Sequence, residues 1–132
     1  MVMVPRSEQL KMLRRHILEE PCTLRLFAND VRPSKADDTL ARYQEPAAEF
    51  GYAAIGLDPE LWVFTVEPDG EVSATYPEQT FTFTGPAGEV YGWMVQGDTS
   101  GKLKLLERPP GQPANITRGG DLIAVIPRLT LE

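Results

Sequence analysis

Leu10, Leu13, Ile17 and Leu18 recur three and four residues apart with Met12 beside them, while Arg6, Glu8, Lys11, Arg14 and Arg15 fill the other side. Pro5 and Ser7 open this stretch and Pro21 ends it, which predicts one amphipathic helix of about three turns. A helix that short is near the lower limit for standing alone in water. Its apolar face therefore needs a partner, either the chain's own sheet or a neighbouring subunit.

After Pro21 the period changes from helical to alternating. Thr23–Phe27 reads as a first strand, and from Leu61 onward strand signals are dense. Leu61–Val66 is aromatic and β-branched, and Asp69-Gly70 turns the chain into Glu71–Tyr76. Thr80, Thr82 and Thr84 alternate with Phe81 and Phe83, so hydroxyls lie on one face and rings on the other. Gly85–Gly88 leads into Glu89–Gln96, where Tyr91, Trp93 and Val95 share a face. Asp98–Gly101 is the next turn, before Lys102–Arg108. Beyond the proline-rich run 109–113 come Asn115–Thr117, Gly119-Gly120, Leu122–Ile126 and Leu129–Leu131.

Turn signals every ten residues or so fit a sandwich or barrel, and no helix–strand alternation points to a parallel sheet. The expected fold is all-β, a β-sandwich or barrel-like domain of jelly-roll or tulip type, with a short N-terminal α-helix. Residues 1–22 form the helical arm and 23–132 the β domain. The least regular part is Ala28–Pro59, with a capping-box spacing at Ser34 and Asp37. A connection this long is expected to pack Leu40, Tyr43, Phe50 and Tyr52 onto the sheet or to touch a partner.

With 132 residues, 42% of them hydrophobic, the chain can bury one core without staples. A net charge of −6 argues against general nucleic-acid binding, which needs a cationic surface. The lone Cys22 excludes an intramolecular disulfide and fits intracellular synthesis, with the thiol acting as a small buried hydrophobe. No apolar run approaches the roughly 20 residues of a membrane span. Met1–Pro5 is too short for a signal peptide.

The chemistry-bearing residues form no recognised motif. His16 is the single histidine, read as a solvated helix residue; with one histidine and one cysteine, zinc would need carboxylate ligands. Asp37, Asp38, Asp58, Asp69 and Asp98 fall in turns, where aspartate bonds its own backbone, and Glu19, Glu20 and Glu60 read as solvated. Gly85–Gly88 lacks the lysine and helix of a phosphate loop. Trp62, Tyr76, Tyr91 and Trp93 are either core rings or a stacking platform for a sugar, and core is the expectation. No catalytic, cofactor or metal site is expected.

Four phrases, in order, resemble a loosely defined group of small β-rich bacteriophage virion proteins. They are Leu24–Val31 with Pro33 and Asp38–Leu40; Glu45 through Phe50–Tyr52 to Trp62; Phe81–Phe83 with Val90–Val95; and Ile116, Gly120–Leu122 and Leu129–Leu131. The resemblance covers residues 23–131 and leaves out the helix. It implies a structural role on the capsid surface of a virion, after synthesis in the host cytoplasm. The specific expectation is a capsid decoration (cement) protein that binds the major capsid protein as a homotrimer. The alternative is a tail- or fibre-associated module that grips a partner or a glycan. No nucleic acid, membrane or cofactor enters either reading.

Leu122–Ile126 is apolar on both faces, so it is either covered twice or packs against another subunit. Open strand edges offer a second route to assembly. The residues expected to meet partners are Leu10, Leu13, Arg14 and Ile17 on the helix, and Leu129 and Leu131 on the last strand.

Overall fold

A computed structural model describes residues 4–33, 40–109 and 113–131. The Ser34–Asp37 spacing, Asp38 and most of the proline-rich run lie outside them.

One helix, α1 (Arg6–Leu18), precedes the strands β1 (Cys22–Phe27), β2 (Ile55–Leu57), β3 (Val63–Val66), β4 (Val72–Thr75), β5 (Gln79–Thr82) and β6 (Gly88–Val90). There follow β7 (Gly92–Gly97), β8 (Leu103–Glu107), β9 (Ala114–Ile116), β10 (Leu122–Val125) and β11 (Arg128–Leu131). All pairings are antiparallel, in sheets ordered β2-β1-β7-β8, β11-β4-β3, β10-β5 and β6-β9. The fold is all-β with a short helix, as the alternation predicts.

The strands from β4 to β11 form in essence one long hairpin. Its tip is the Asp98–Gly101 turn, and its arms pair successively as β7/β8, β6/β9, β5/β10 and β4/β11. The register runs unchanged from Gly88↔Ile116 to Thr82↔Leu122, then slips by one residue between Gln79↔Val125 and Thr75↔Arg128. Tyr76 N–H bonds the Pro127 carbonyl at 2.9 Å across that slip, so the ribbon bends there as at a bulge.

Glu89–Gln96, expected as one strand, changes partners at Tyr91. Gly92 lies against the Phe27 ring and the Glu107 carbonyl, where a Cβ has no room. β6 therefore stays with β9, while β7 turns to join β1 and β8. β2 has only three residues, too few for an alternating pattern to announce it.

Rolling the ribbon gathers Leu24, Leu26, Val72, Ala74, Phe81, Phe83, Val90, Trp93, Val95, Ile116 and Val125 into one core. Trp62 packs edge-on against Tyr76 with ring centroids 5.1 Å apart. These rings and Trp93 are buried, and Tyr91 is partly so, hence the aromatic residues serve packing more than surface stacking.

Alternation along β1 and β7 sends Phe27 and Met94 to the other face of the β2-β1-β7-β8 sheet. There the irregular connection lays Tyr43, with Val31 and Leu40 beside it, over them. Phe27 and Tyr43 meet edge-on at 4.9 Å. The same connection caps the edge of β1 beyond β2: Ala28 N–H bonds the Gln44 carbonyl at 2.6 Å and Leu26 N–H donates to the Tyr52 hydroxyl at 3.2 Å. Tyr52 in turn donates to Glu45 Oε1 at 2.5 Å, and Arg25 grips the same carboxylate at 3.1 and 3.2 Å. Burial, reinforced by the Glu45 carboxylate, pushes the Tyr52 hydroxyl well above its ordinary pKa. It remains a neutral donor.

Candidate interaction surface

Pro5 supplies no side-chain cap, so α1 depends on packing and on its ends. Arg6 Nε donates to the Gly70 carbonyl at 2.6 Å, fixing the first turn to the β3–β4 loop. Leu13 and Ile17, only 1% and 2% exposed, enter the same core as Val72 and Ala74, and Leu10 is partly buried against it. This corrects the expectation that Leu13 and Ile17 meet a partner: their apolar face is spent on the chain's own sheet. The boundary at residue 22 divides helix from strands in sequence but not in space.

The helix C-terminus is held by charge. His16 is an exposed helix residue, as the sequence suggests, and its Nε2 also bonds the Lys104 carbonyl at 2.8 Å. The buried Lys104 ammonium pairs with Glu19 and lies 3.6 Å from Glu20 Oε2. Glu20 Oε1 accepts from Thr99 N–H and Ser100 N–H, both at 2.9 Å, and from Ser100 Oγ at 3.1 Å. The helix end thus clamps the tip of the long hairpin. Cys22 is buried beside this cluster, and burial raises its thiol pKa, as expected of a small hydrophobe and not a reactive thiol.

The clamp carries a pH dependence. Lys104 lowers the Glu19 pKa by hydrogen bond and charge and the Ser100 amide chiefly lowers that of Glu20; outside the clamp, in the β9–β10 turn, the Thr117 amide chiefly lowers that of Asp121. A carboxylate whose folded pKa is depressed stabilises the fold above its unfolded value and loses that contribution as pH falls through the folded one. Burial works against the Lys104 charge, but Glu19 and Glu20 outweigh it and hold the ammonium above its ordinary range. Its contribution is complete below 10.5 and fades as pH rises through the folded value. Urea unfolding is expected to show stability declining as pH drops below the ordinary glutamate value of 4.5. Glu20→Gln is expected to flatten that decline; an unchanged slope would remove Glu20 from the account.

With Leu13 and Ile17 buried, the apolar groups left at the surface are others. Leu18, Leu61 and Val63 are exposed, Val63 to 56%. Leu18 and Val63 line a shallow depression of about 600 Å³ with Trp62, Phe64 and Arg14. The Arg14 guanidinium lies 4.7 Å over the Phe64 ring, so its charge stands beside an apolar floor. β3 forms the wall and, among the described residues, is a sheet edge paired with β4 alone. Val66, also exposed, extends the edge.

Of the residues expected to meet partners, Arg14 alone lines this depression. Leu129 and Leu131 are partly buried and turn toward the core from β11, the other edge of the same sheet. Val63 and Val66 were missed, because an apolar strand in a sequence does not say whether it lies at an edge; Leu18 at the helix end and Leu61 in the turn before β3 were missed with them. On β10, Ile123 and Val125 face inward, while Leu122 and Ile126 stand 58% and 54% exposed. Among the described residues, the strand's second apolar face is therefore left largely exposed.

The turn aspartates bond backbone or hydroxyl groups nearby. Asp58 accepts from Glu60 N–H, Asp69 from Glu71 N–H, and Asp98 from Thr23 Oγ1. Among the described residues no group of three or more His, Cys, Asp or Glu is placed to hold a metal ion, and no helix is long and apolar enough to cross a membrane. No protein-family profile, curated protein or solved structure matches the chain.

Proposed function

We propose that this protein is a structural binding subunit of a virion, a capsid decoration protein that joins neighbouring subunits on a phage head. The observation that carries the reading is the open edge of β3, flanked by exposed Leu18, Leu61 and Val63. Strand edges bordered by apolar side chains are sites where soluble proteins pair or are covered. Around a symmetry axis such a contact closes into a ring, and a trimer seated between capsomers of the major capsid protein uses it so. Arg14 at the rim supplies a charge to orient the contact. The order of the four sequence phrases adds the virion context.

The test adds purified protein to heads that lack it and measures binding and the temperature of rupture. Wild-type protein is expected to bind and to raise that temperature. Val63→Lys is expected to fold normally and to bind about tenfold or more weakly, since burying a valine contributes roughly 1.5–3 kcal/mol. Absence of wild-type binding with an unchanged rupture temperature overturns the proposal. Labelling confined to the tail would move the contact to the fibre-associated alternative.

A further inference from the structure

A second groove, of about 280 Å³, lies between β10 and the β7–β8 part of the four-stranded sheet. Buried Leu26, Val90 and Trp93 form its floor, and residues 123–126 form one wall. Four consecutive residues can line a groove only if the strand presents its edge to it, since alternate side chains point to opposite faces.

That edge is open. Phe83 N–H bonds the Asp121 carbonyl at 2.9 Å, which sets the alternation along the ladder. Ile123 and Val125 then exchange bonds with Phe81 and Gln79, while the backbone groups of Leu122 and Ala124 turn to the far side. Among the described residues those far-side groups have no partner.

Two carboxylates, Glu78 and Glu107, stand at the rim, and among the described residues no lysine or arginine lines the groove. Neither carboxylate has a hydrogen bond or ion pair among the described residues, unlike the glutamates of the helix clamp. An apolar floor, an unpaired strand edge and uncompensated negative charge together specify an occupant. We propose that this groove takes an extended segment of a partner protein, apolar at alternate positions and carrying lysine or arginine, added as a strand to β10.

Other occupants fit less well. The volume falls just below the roughly 300–1,000 Å³ of organic-ligand pockets, and the polar groups flank the groove without converging in it. A second copy of this chain, at net charge −6, is the poorer charge match. The inference goes beyond the head-binding role and does not rest on it.

The test titrates the full chain calorimetrically with a blocked peptide of about eight residues alternating valine and lysine, enough to span one strand. One-to-one binding that weakens with salt is expected, with the glutamate counterpart about tenfold or more weaker. Methylating alternate backbone nitrogens of the peptide is expected to abolish binding by removing the ladder donors. The double variant Glu78→Lys, Glu107→Lys changes only exposed side chains and is expected to reverse the charge preference with an unaltered circular dichroism spectrum. No binding of the lysine peptide, equal binding of both peptides, or indifference to methylation overturns the proposal. So does dissociation of an oligomer by the peptide, which would assign the groove to a second copy.

Discussion

Leu13→Ala is expected to lower the unfolding free energy of the isolated protein by about 2–5 kcal/mol, the range for emptying a packed leucine site. Leu13 is buried together with Ile17, Val72 and Ala74, so the loss combines burial with a cavity that the sheet cannot fill. The exposed neighbour Met12 is the control: Met12→Ala is expected to change stability by no more than about 0.5 kcal/mol. The comparison separates two roles for the helix. If Leu13→Ala left the urea midpoint unchanged and weakened only assembly, the helix would be a docking arm after all. Near-neutral stability with both variants would contradict the packing described.

Phe27→Ala is expected to cost about 3–5 kcal/mol and to act at a distance along the chain. Phe27 is fully buried between Met94, Tyr43 and the Gly92 backbone, on the face of the sheet away from the main core. Removing its ring takes away the surface on which Tyr43 rests, and with it the anchor of the connection between β1 and β2. Limited proteolysis is therefore expected to cut between residues 28 and 54 at denaturant concentrations where the wild type resists. Destabilisation without new cleavage there would mean that Glu45, Arg25 and Tyr52 hold the connection unaided.

Most strands were legible because each carries a local mark. Asp69-Gly70 announces the β3–β4 turn, and the threonine–phenylalanine alternation sets which face of β5 is buried. What stayed hidden depends on partners distant in sequence. The break at Gly92 is dictated by Phe27 and Glu107, and β2 exists because β1 offers it an edge. The helix face was visible from its spacing, but the choice between the chain's own sheet and a neighbour was not. The same limit governs the interaction surface. Arg14 was visible on the helix, whereas Val63 and Leu61 gained meaning only when β3 proved to be an edge. Nothing in the sequence pairs Glu78 with Glu107; the ribbon brings both to one groove.

The single long hairpin has a consequence for how the chain finds its shape. Pairing that starts at the Asp98–Gly101 tip brings each later pair within reach of one already made. Val72 and Leu131 are far apart along the chain, yet zipping from the tip replaces one large loop closure with a series of small ones. The β4–β11 contact closes last on this route. That places the helix, whose seat is β4, among the final pieces to dock.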